Sequence, residues 1–403
     1  MPVRNRPFRI GEACQLQICL FIERVRSVIV DRVMVPDAHI DMADASLELT
    51  ASALLTPLGN TPEDNWRKMA LDGATLNRSL LIPNVEEAIK DRFPESPEVQ
   101  DFDRVIKIAL LAAADALAQT DQPRLSSDDA LFVATSKGPV LTLLSALKNP
   151  MNIGPIAAEQ IALGPGAVCS YLQRLLGTTD ITHTSIAACA GSLAAVHRAH
   201  QAVHAGRNRR AIVVAADSSI HPLFDSSFAR LGILAPRDER GLCECRPFDP
   251  AGKGFFITEA AAAVILERAE SGVIRLEKTW LGGDGTDLLA TDPAARSLRN
   301  GIRYLAAGTS IDFVHAHATG TRHDAYELSA IAEIKPRYVF SHKRFLGHSL
   351  GASGLVGLVL SAMCHRHQMT LMGDSLPRES ASLTLAQGFG GHIGAVRLHC
   401  VNQ

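Results

Sequence analysis

The chain has 403 residues, 40 Lys+Arg against 42 Asp+Glu, a net charge of −2 and 47% hydrophobic side chains. At about 150 residues per domain that is room for two or three domains or one large one, and the balance excludes a disordered chain and a generally basic nucleic-acid binder. Aromatic residues make up only 5%, so the core has to be packed from small and aliphatic side chains.

Residues 1–46 follow no single pattern. Residues 26–35 mix β-branched and charged side chains, and the apolar run 14–22 is followed by Glu23, Arg24 and Arg26 without a small-residue cleavage site, which speaks against a secretory leader. Regular text begins at Leu47, so residues 1–46 read as an added arm of unknown role, or Met42 as the better start. Thr61 and Pro62 predict an N-cap and first position of a helix. Residues 103–119 predict a helix with Val105, Ile108, Ala109, Ala112 and Leu117 on its apolar side. Strands are predicted at 130–135, 182–187, 211–216, 259–267, 313–316, 338–341 and 395–399, with helices at 189–205, 324–334 and 351–365 between them. Such alternation points to a mostly parallel sheet with both faces covered. Residues 190–196 and 351–363 are apolar and small on every side, which requires helices lying between sheets. Residues 345–364 lack any Asp, Glu, Lys or Arg; a helix buried in a large α/β core accounts for this better than a membrane span.

The eight cysteines are too sparse for a disulfide framework, and Cys243 and Cys245 stand too close for a C-x-x-C redox or zinc pattern. The chain therefore reads as cytoplasmic with reduced thiols.

Four segments carry candidate chemistry. In S-I-A-A-C-A-G-S, Cys189 opens a helix, where the positive end of the dipole favours a thiolate; it reads either as a nucleophile or as a buried structural thiol. In H-A-H-A-T-G-T, strand alternation points His315 and His317 the same way, so a metal pair has to be weighed, but no third ligand stands at a zinc spacing. G-H-S-L-G around Ser349 matches the nucleophile elbow of serine hydrolases, with Asp374 and His392 following in hydrolase order. Only 54 residues follow Ser349, and Lys343, Arg344 and Gly347 interrupt the strand-to-elbow path. Finally, G-F-G-G-H-I-G at 388–394 runs into a strand rather than a helix, so it is a tight turn and not a dinucleotide loop.

Together these segments resemble the β-ketoacyl-acyl-carrier-protein synthases, condensing enzymes of the thiolase superfamily, over residues 47–401. T-P-L-G-N, A-C-A-G-S, R-P-F-D-P-A-G-K-G-F, H-A-T-G-T-x-x-D-x-x-E, K-x-x-x-G-H-S-L-G-A-S-G and G-F-G-G occur in the family's order. The resemblance implies a five-layered αβαβα sandwich of two pseudo-symmetric halves, here 47–268 and 269–403. It implies acyl transfer to Cys189, then decarboxylative condensation with a malonyl-carrier in fatty-acid or polyketide synthesis. His317 and His348 are then the donors to the enolate, and Lys343 pairs with Glu327, supported by Asp324. The backbone N–H groups of Cys189 and Phe389 form the oxyanion hole, with Phe389 also the gate. Thr319 and Thr321 hold the pantetheine arm, and Phe228 and Phe255 are candidates for the acyl pocket. No metal or resident cofactor is implied. The partners implied are an acidic acyl carrier protein and a second copy of the chain, with no nucleic acid and no membrane span. Arg207, Arg209 and Arg210 are candidates for a basic docking patch.

The sequence departs from the family pattern in places. Ala318 replaces a glycine, Thr258 to Ala262 read T-E-A-A-A where G-E-G-A-G is usual, His392 and Ile393 replace Thr-Asn, and the first strand reads L-E-L-T-A-S-A. Pocket walls so altered suit a specialised lipid or polyketide enzyme at least as well as a housekeeping one. Two rival readings are a non-condensing acyltransferase or modified ketosynthase subunit, and a serine hydrolase using Ser349.

Overall fold

The computed structural model describes residues 46–76, 80–239, 243–268 and 273–401. The arm at 1–46 therefore lies outside the described residues except for Ser46.

Ten strands pair into one sheet: β1 (Leu47–Leu55), β2 (Asp129–Ala134), β3 (Ile181–Ser185), β4 (Arg210–Asp217), β5 (Ala260–Arg268), β6 (Ile274–Gly283), β7 (Phe313–His315), β8 (Tyr338–Phe340), β9 (Ser380–Gly388) and β10 (His392–Cys400). Their order is β3-β2-β4-β5-β1-β6-β10-β9-β7-β8. Counted from either outer edge, the first five and the last five strands follow the same order, third, second, fourth, fifth, first. The two sets meet at β1 and β6 through Leu47↔Leu276 and Glu48↔Arg275.

The sheet is mixed rather than mostly parallel. Four pairings are parallel and five antiparallel. Local connectivity explains part of the difference: β9 and β10 are joined by the short turn Phe389–Gly391, with Gly390 at φ 79° and Gly391 at φ 76°, and so short a connection permits only an antiparallel pair.

The helices that complete the layers are α1 (Pro62–Ala70), α2 (Arg104–Leu117), α3 (Gly166–Leu176), α4 (Gly191–His204), α5 (Pro222–Arg230), α6 (Arg296–Ala306), α7 (Asp324–Ile331) and α8 (Ser353–His367). The Thr61 hydroxyl caps α1 by accepting from Asp64 N at 3.0 Å, and Asp103 caps α2 by accepting from Val105 N at 3.0 Å. Side-chain alternation along the strands divides the interior. Ala130, Phe132 and Ala134 of β2 face a central core with Leu193, Val196, Leu355 and Val359 of α4 and α8, while Leu131 and Val133 face an outer core with Ile108 and Leu172 of α2 and α3. Leu298 and Ile302 of α6 close a third core with Val314 and Leu383. The sequence of layers is helix, sheet, helix, sheet, helix, as the resemblance implied.

The two central helices are those whose sequences left no polar face: residues 190–196 and 351–363 are buried throughout. They approach so closely that a Cβ on Gly354 would lie 2.7 Å from Ser192 Oγ and 2.8 Å from Leu193 Cγ. Among the described residues no helix is long and apolar enough to cross a membrane.

Arg210 is not part of a docking patch. Its side chain is 1% exposed and forks onto the fully buried Asp129, at 2.5 and 2.9 Å, with further bonds to the carbonyls of Gln122 and Arg124. Removing one partner of a buried pair strands the other charge. Arg210→Ala is therefore expected to lower unfolding stability by roughly 3–5 kcal/mol, measured by urea denaturation. A loss under 1 kcal/mol would show that the pair is not what ties β4 to β2.

Candidate active site

The residues singled out from the sequence converge on one cavity, open to solvent, at one end of α4 and α8. Its lining includes Cys189, His317, His348, Phe389, Thr319, Thr321, Phe228, Phe255, Asp324 and Glu327. Lys343 is not in the lining; it stands behind, 1% exposed.

Cys189 lies on the turn between β3 and α4, two residues before the helix begins at Gly191, rather than within its first turn. The preceding Ala188 holds φ +46°, a conformation that costs a non-glycine residue roughly 1–2 kcal/mol and thrusts the turn toward the cavity. The sulfur is 3.1 Å from His348 Nε2. Burial pushes the Cys189 thiol up to about 11, while the ammonium groups of Lys343 and Lys137 pull the other way and Asp217 adds to the rise. A thiolate poised by the helix dipole was the sequence expectation; desolvation outweighs it.

His348 is positioned by the 255–258 segment. Its N–H donates to Phe256 O at 2.8 Å, its carbonyl accepts from Thr258 N at 3.1 Å, and Phe255 meets its ring edge-on with centres 4.8 Å apart. This explains why R-P-F-D-P-A-G-K-G-F belongs with the site although its charged residues do not line it. The His317 and His348 rings stand at 79° with centres 5.3 Å apart. Burial holds both imidazoles well below their ordinary range, and the Lys343 charge lowers them further. Both rings are therefore neutral near neutral pH. Neither Nδ1 has a hydrogen-bond partner, so nothing ties the ring proton to that nitrogen, and Nε2 is available to carry it.

The 317–321 loop is held from two sides by its peptide groups. Glu327, on the first turn of α7, accepts from His317 N at 2.7 Å and Ala318 N at 2.8 Å. Asp324 accepts from Thr319 N and Gly320 N, each at 2.9 Å, and from Phe248 N at 3.0 Å. The Lys343 ammonium donates to the His317 carbonyl. A direct Lys343–Glu327 ion pair, implied by the resemblance, does not form: the two sit at opposite ends of the His317 peptide and interact through space. Burial holds the Lys343 ammonium below its ordinary value, opposed first by the Glu327 charge. Thr319 Oγ1 and Thr321 Oγ1 are 3.1 Å apart.

Phe389 begins the β9–β10 turn. A Cβ on the preceding Gly388 would fall 2.7 Å from Ala187 O and 3.0 Å from Cys189 N, so only glycine lets this turn reach the cysteine. It brings the amides of Cys189 and Phe389 to the same corner of the cavity.

His315 is not a partner of His317 in a metal site. It turns into the central core, 2.8 Å from His342 Nδ1 and 3.0 Å from Ser361 Oγ, and no metal-holding cluster of three His, Cys, Asp or Glu occurs among the described residues. The hydrolase arrangement also fails. Ser349 is 3% exposed with an unpartnered hydroxyl, Asp374 is engaged by Thr370 at 3.1 Å, and His392 lines the cavity on the opposite hairpin. Site residues that the sequence did not reveal are Lys137, whose charge reaches Cys189 and His348, and Ile233, Leu289 and Gln387 in the lining. None belongs to a motif; only folding brings them near the cysteine.

Comparison with known proteins agrees with this geometry. The family model for the N-terminal domain of β-ketoacyl synthases matches residues 46–272, and that for the C-terminal domain matches residues 290–372. The 6-methylsalicylic acid synthase of Aspergillus niger is 28% identical over 352 residues, 77% of this chain but only 19% of that much longer protein. A putative polyketide β-ketoacyl synthase of Streptomyces halstedii is 27% identical over 348 residues, 74% of this chain and 82% of that one. Among solved structures, a ketosynthase in complex with its type II acyl-carrier protein has a TM-score of 0.73 at 18% identity, covering 89% of this chain and all of its own matched chain. The shared fold, the matched domains and the order of the site motifs have one common explanation: the chain belongs to the β-ketoacyl synthase family.

Proposed function

We propose that the protein joins acyl units by decarboxylative condensation, with Cys189, His317 and His348 as its reacting groups. The observation that carries this is the placement of one thiol and two neutral imidazoles around a single cavity, with backbone amides at its corner. In the first step Cys189 Sγ attacks the carbonyl of an acyl thioester on the phosphopantetheine of a carrier protein. The carbon–sulfur bond to Cys189 forms, the bond to the carrier sulfur breaks, and the thiol proton goes to the departing sulfur. The oxyanion accepts from the amides of Cys189 and Phe389. In the second step a malonyl thioester loses CO₂, and the electron pair of the broken carbon–carbon bond becomes an enolate. His317 and His348 donate through Nε2 to its oxygen, a charge present only along the reaction path. The enolate carbon then attacks the Cys189 thioester, releasing the sulfur, which takes a proton from solvent.

Lys343, Glu327 and Asp324 fix the loop that carries His317, and Thr319 and Thr321 offer hydroxyls to the pantetheine arm. No step in this chemistry asks for a metal or a resident cofactor. An acyl carrier protein is the partner, as in the structural relative solved with its carrier, and exposed Arg322 supplies positive charge beside the cavity-lining Thr321 and His323. The edge strand β3 and the exposed Leu147, Met151 and Ile186 support a homodimer, and the free cysteines support a cytoplasmic setting.

Incubation with malonyl-carrier tests the proposal: CO₂ release is expected, and none with or without an acyl primer sinks it. Cys189→Ala is expected to lose the covalent acyl adduct yet keep malonyl decarboxylation. His317→Ala or His348→Ala is expected to slow decarboxylation roughly a hundred- to a thousandfold. Because both imidazoles are held well below 6.5, the decarboxylation rate is expected to be flat through the pH range where an ordinary histidine titrates; an acid limb there would contradict a neutral pair. Alkylation of Cys189 by iodoacetamide is expected to rise with pH toward a midpoint near 11, well above an ordinary thiol.

A further inference from the structure

One wall of the cavity is built differently from the others. α5 buries none of its side chains, yet it supplies Phe228 to the lining. Only the half-buried Phe224 and Phe228 pack it against the central core, so the helix is held by little packing. Lys137, on the loop after β2, places its ammonium 4.9 Å from the centre of the Phe224 ring and 5.8 Å from that of Phe228, both within the range of cation–π attraction. Among the described residues this ammonium has no carboxylate at ion-pair distance; its polar contact is Ser136 Oγ at 2.8 Å. Phe228 in turn stacks on Phe389, centres 6.3 Å apart at 26°, and meets Phe255 edge-on at 6.1 Å. A methylene chain passing between two rings needs roughly 3.5–4 Å to each side, so these rings leave it no path between them.

We infer that Lys137 is a specificity-determining residue: by holding Phe224 and Phe228 it keeps the α5 wall closed beside Cys189, so that the cysteine takes short acyl groups and excludes long ones. The inference rests on the acyl-transfer reading above. Lys137 also lowers the Cys189 thiol through its charge, but that effect falls on every acyl group alike, whereas the wall discriminates by length. The distinction makes the two separable.

The test is a competition between acetyl and decanoyl thioesters of phosphopantetheine, with the adduct on Cys189 of the full chain read by mass spectrometry. The wild-type protein is expected to load acetyl in preference to decanoyl. Lys137→Ala removes both ring contacts and is expected to shift the ratio toward decanoyl by about tenfold. Lys137→Arg keeps a cation over the rings and is expected to keep the wild-type ratio. In a Phe228→Ala background, where the wall is already open, Lys137→Ala is expected to change the ratio no further. An unchanged ratio in Lys137→Ala, or equal loss of both adducts, overturns the inference while leaving acyl transfer intact. No adduct from either thioester in the wild-type protein overturns the acyl-transfer reading, and the inference with it.

Discussion

A lysine ammonium sealed inside the protein sets the terms for everything around it. Lys343 is 1% exposed and spends its charge on the carbonyl of His317. An isolated buried cation is too costly to persist unless opposite charge lies near. Glu327 provides that charge from the far side of the same peptide, accepting from the amides of His317 and Ala318. The histidine loop is thus gripped at its carbonyl and its amides by two side chains that never touch. Burial keeps both imidazoles neutral, and the field of that ammonium adds to this while opposing the rise that burial imposes on Cys189.

The layered architecture makes such a site possible. A helix covered on every side brings its end in between the layers, and two such helices stand among the described residues. Cys189 precedes α4 and His348 precedes α8, and the close approach that Gly354 permits brings their ends together. One wall comes from α5 and the 255–258 segment, and others come from the second set of strands, through the loop after β7 and the turn between β9 and β10. The nucleophile and its charge-stabilising groups therefore come from different parts of the chain and meet only when both halves of the sheet have closed on the central helices.

Much of this was legible in the sequence because it rests on local rules. Thr61-Pro62 and Asp103 announced helix starts, and the absence of any polar face at 190–196 and 351–363 announced the buried layer. Cys189, His317, His348 and Phe389 stood out through the order of their motifs. Long-range features were not legible. Whether Lys343 reaches Glu327 directly or through a peptide is a matter of ångströms that spacing does not encode. Arg210 sits in an Arg-rich run that reads as surface, yet its neighbour in space, Asp129, buries it. The Cys189 pKa depends on how much water the finished fold excludes, whereas the helix signal speaks only for the dipole. Lys137 lies in no motif, and the Phe224 and Phe228 rings lie more than eighty residues away along the chain.

The depth of Cys189 has one more consequence. Oxidation of a cysteine to sulfenic acid and beyond begins from the thiolate, and a thiol pushed up to about 11 is almost wholly protonated in a cell. The same desolvation that makes the sulfur a reluctant ion shields it from peroxide between turnovers, while a bound thioester supplies the reacting carbonyl and the amides that receive its charge. A chain not yet folded lacks that desolvation, and its cysteine is expected to titrate as an ordinary thiol. Its susceptibility to peroxide is thus expected to rise on unfolding, when that desolvation is lost.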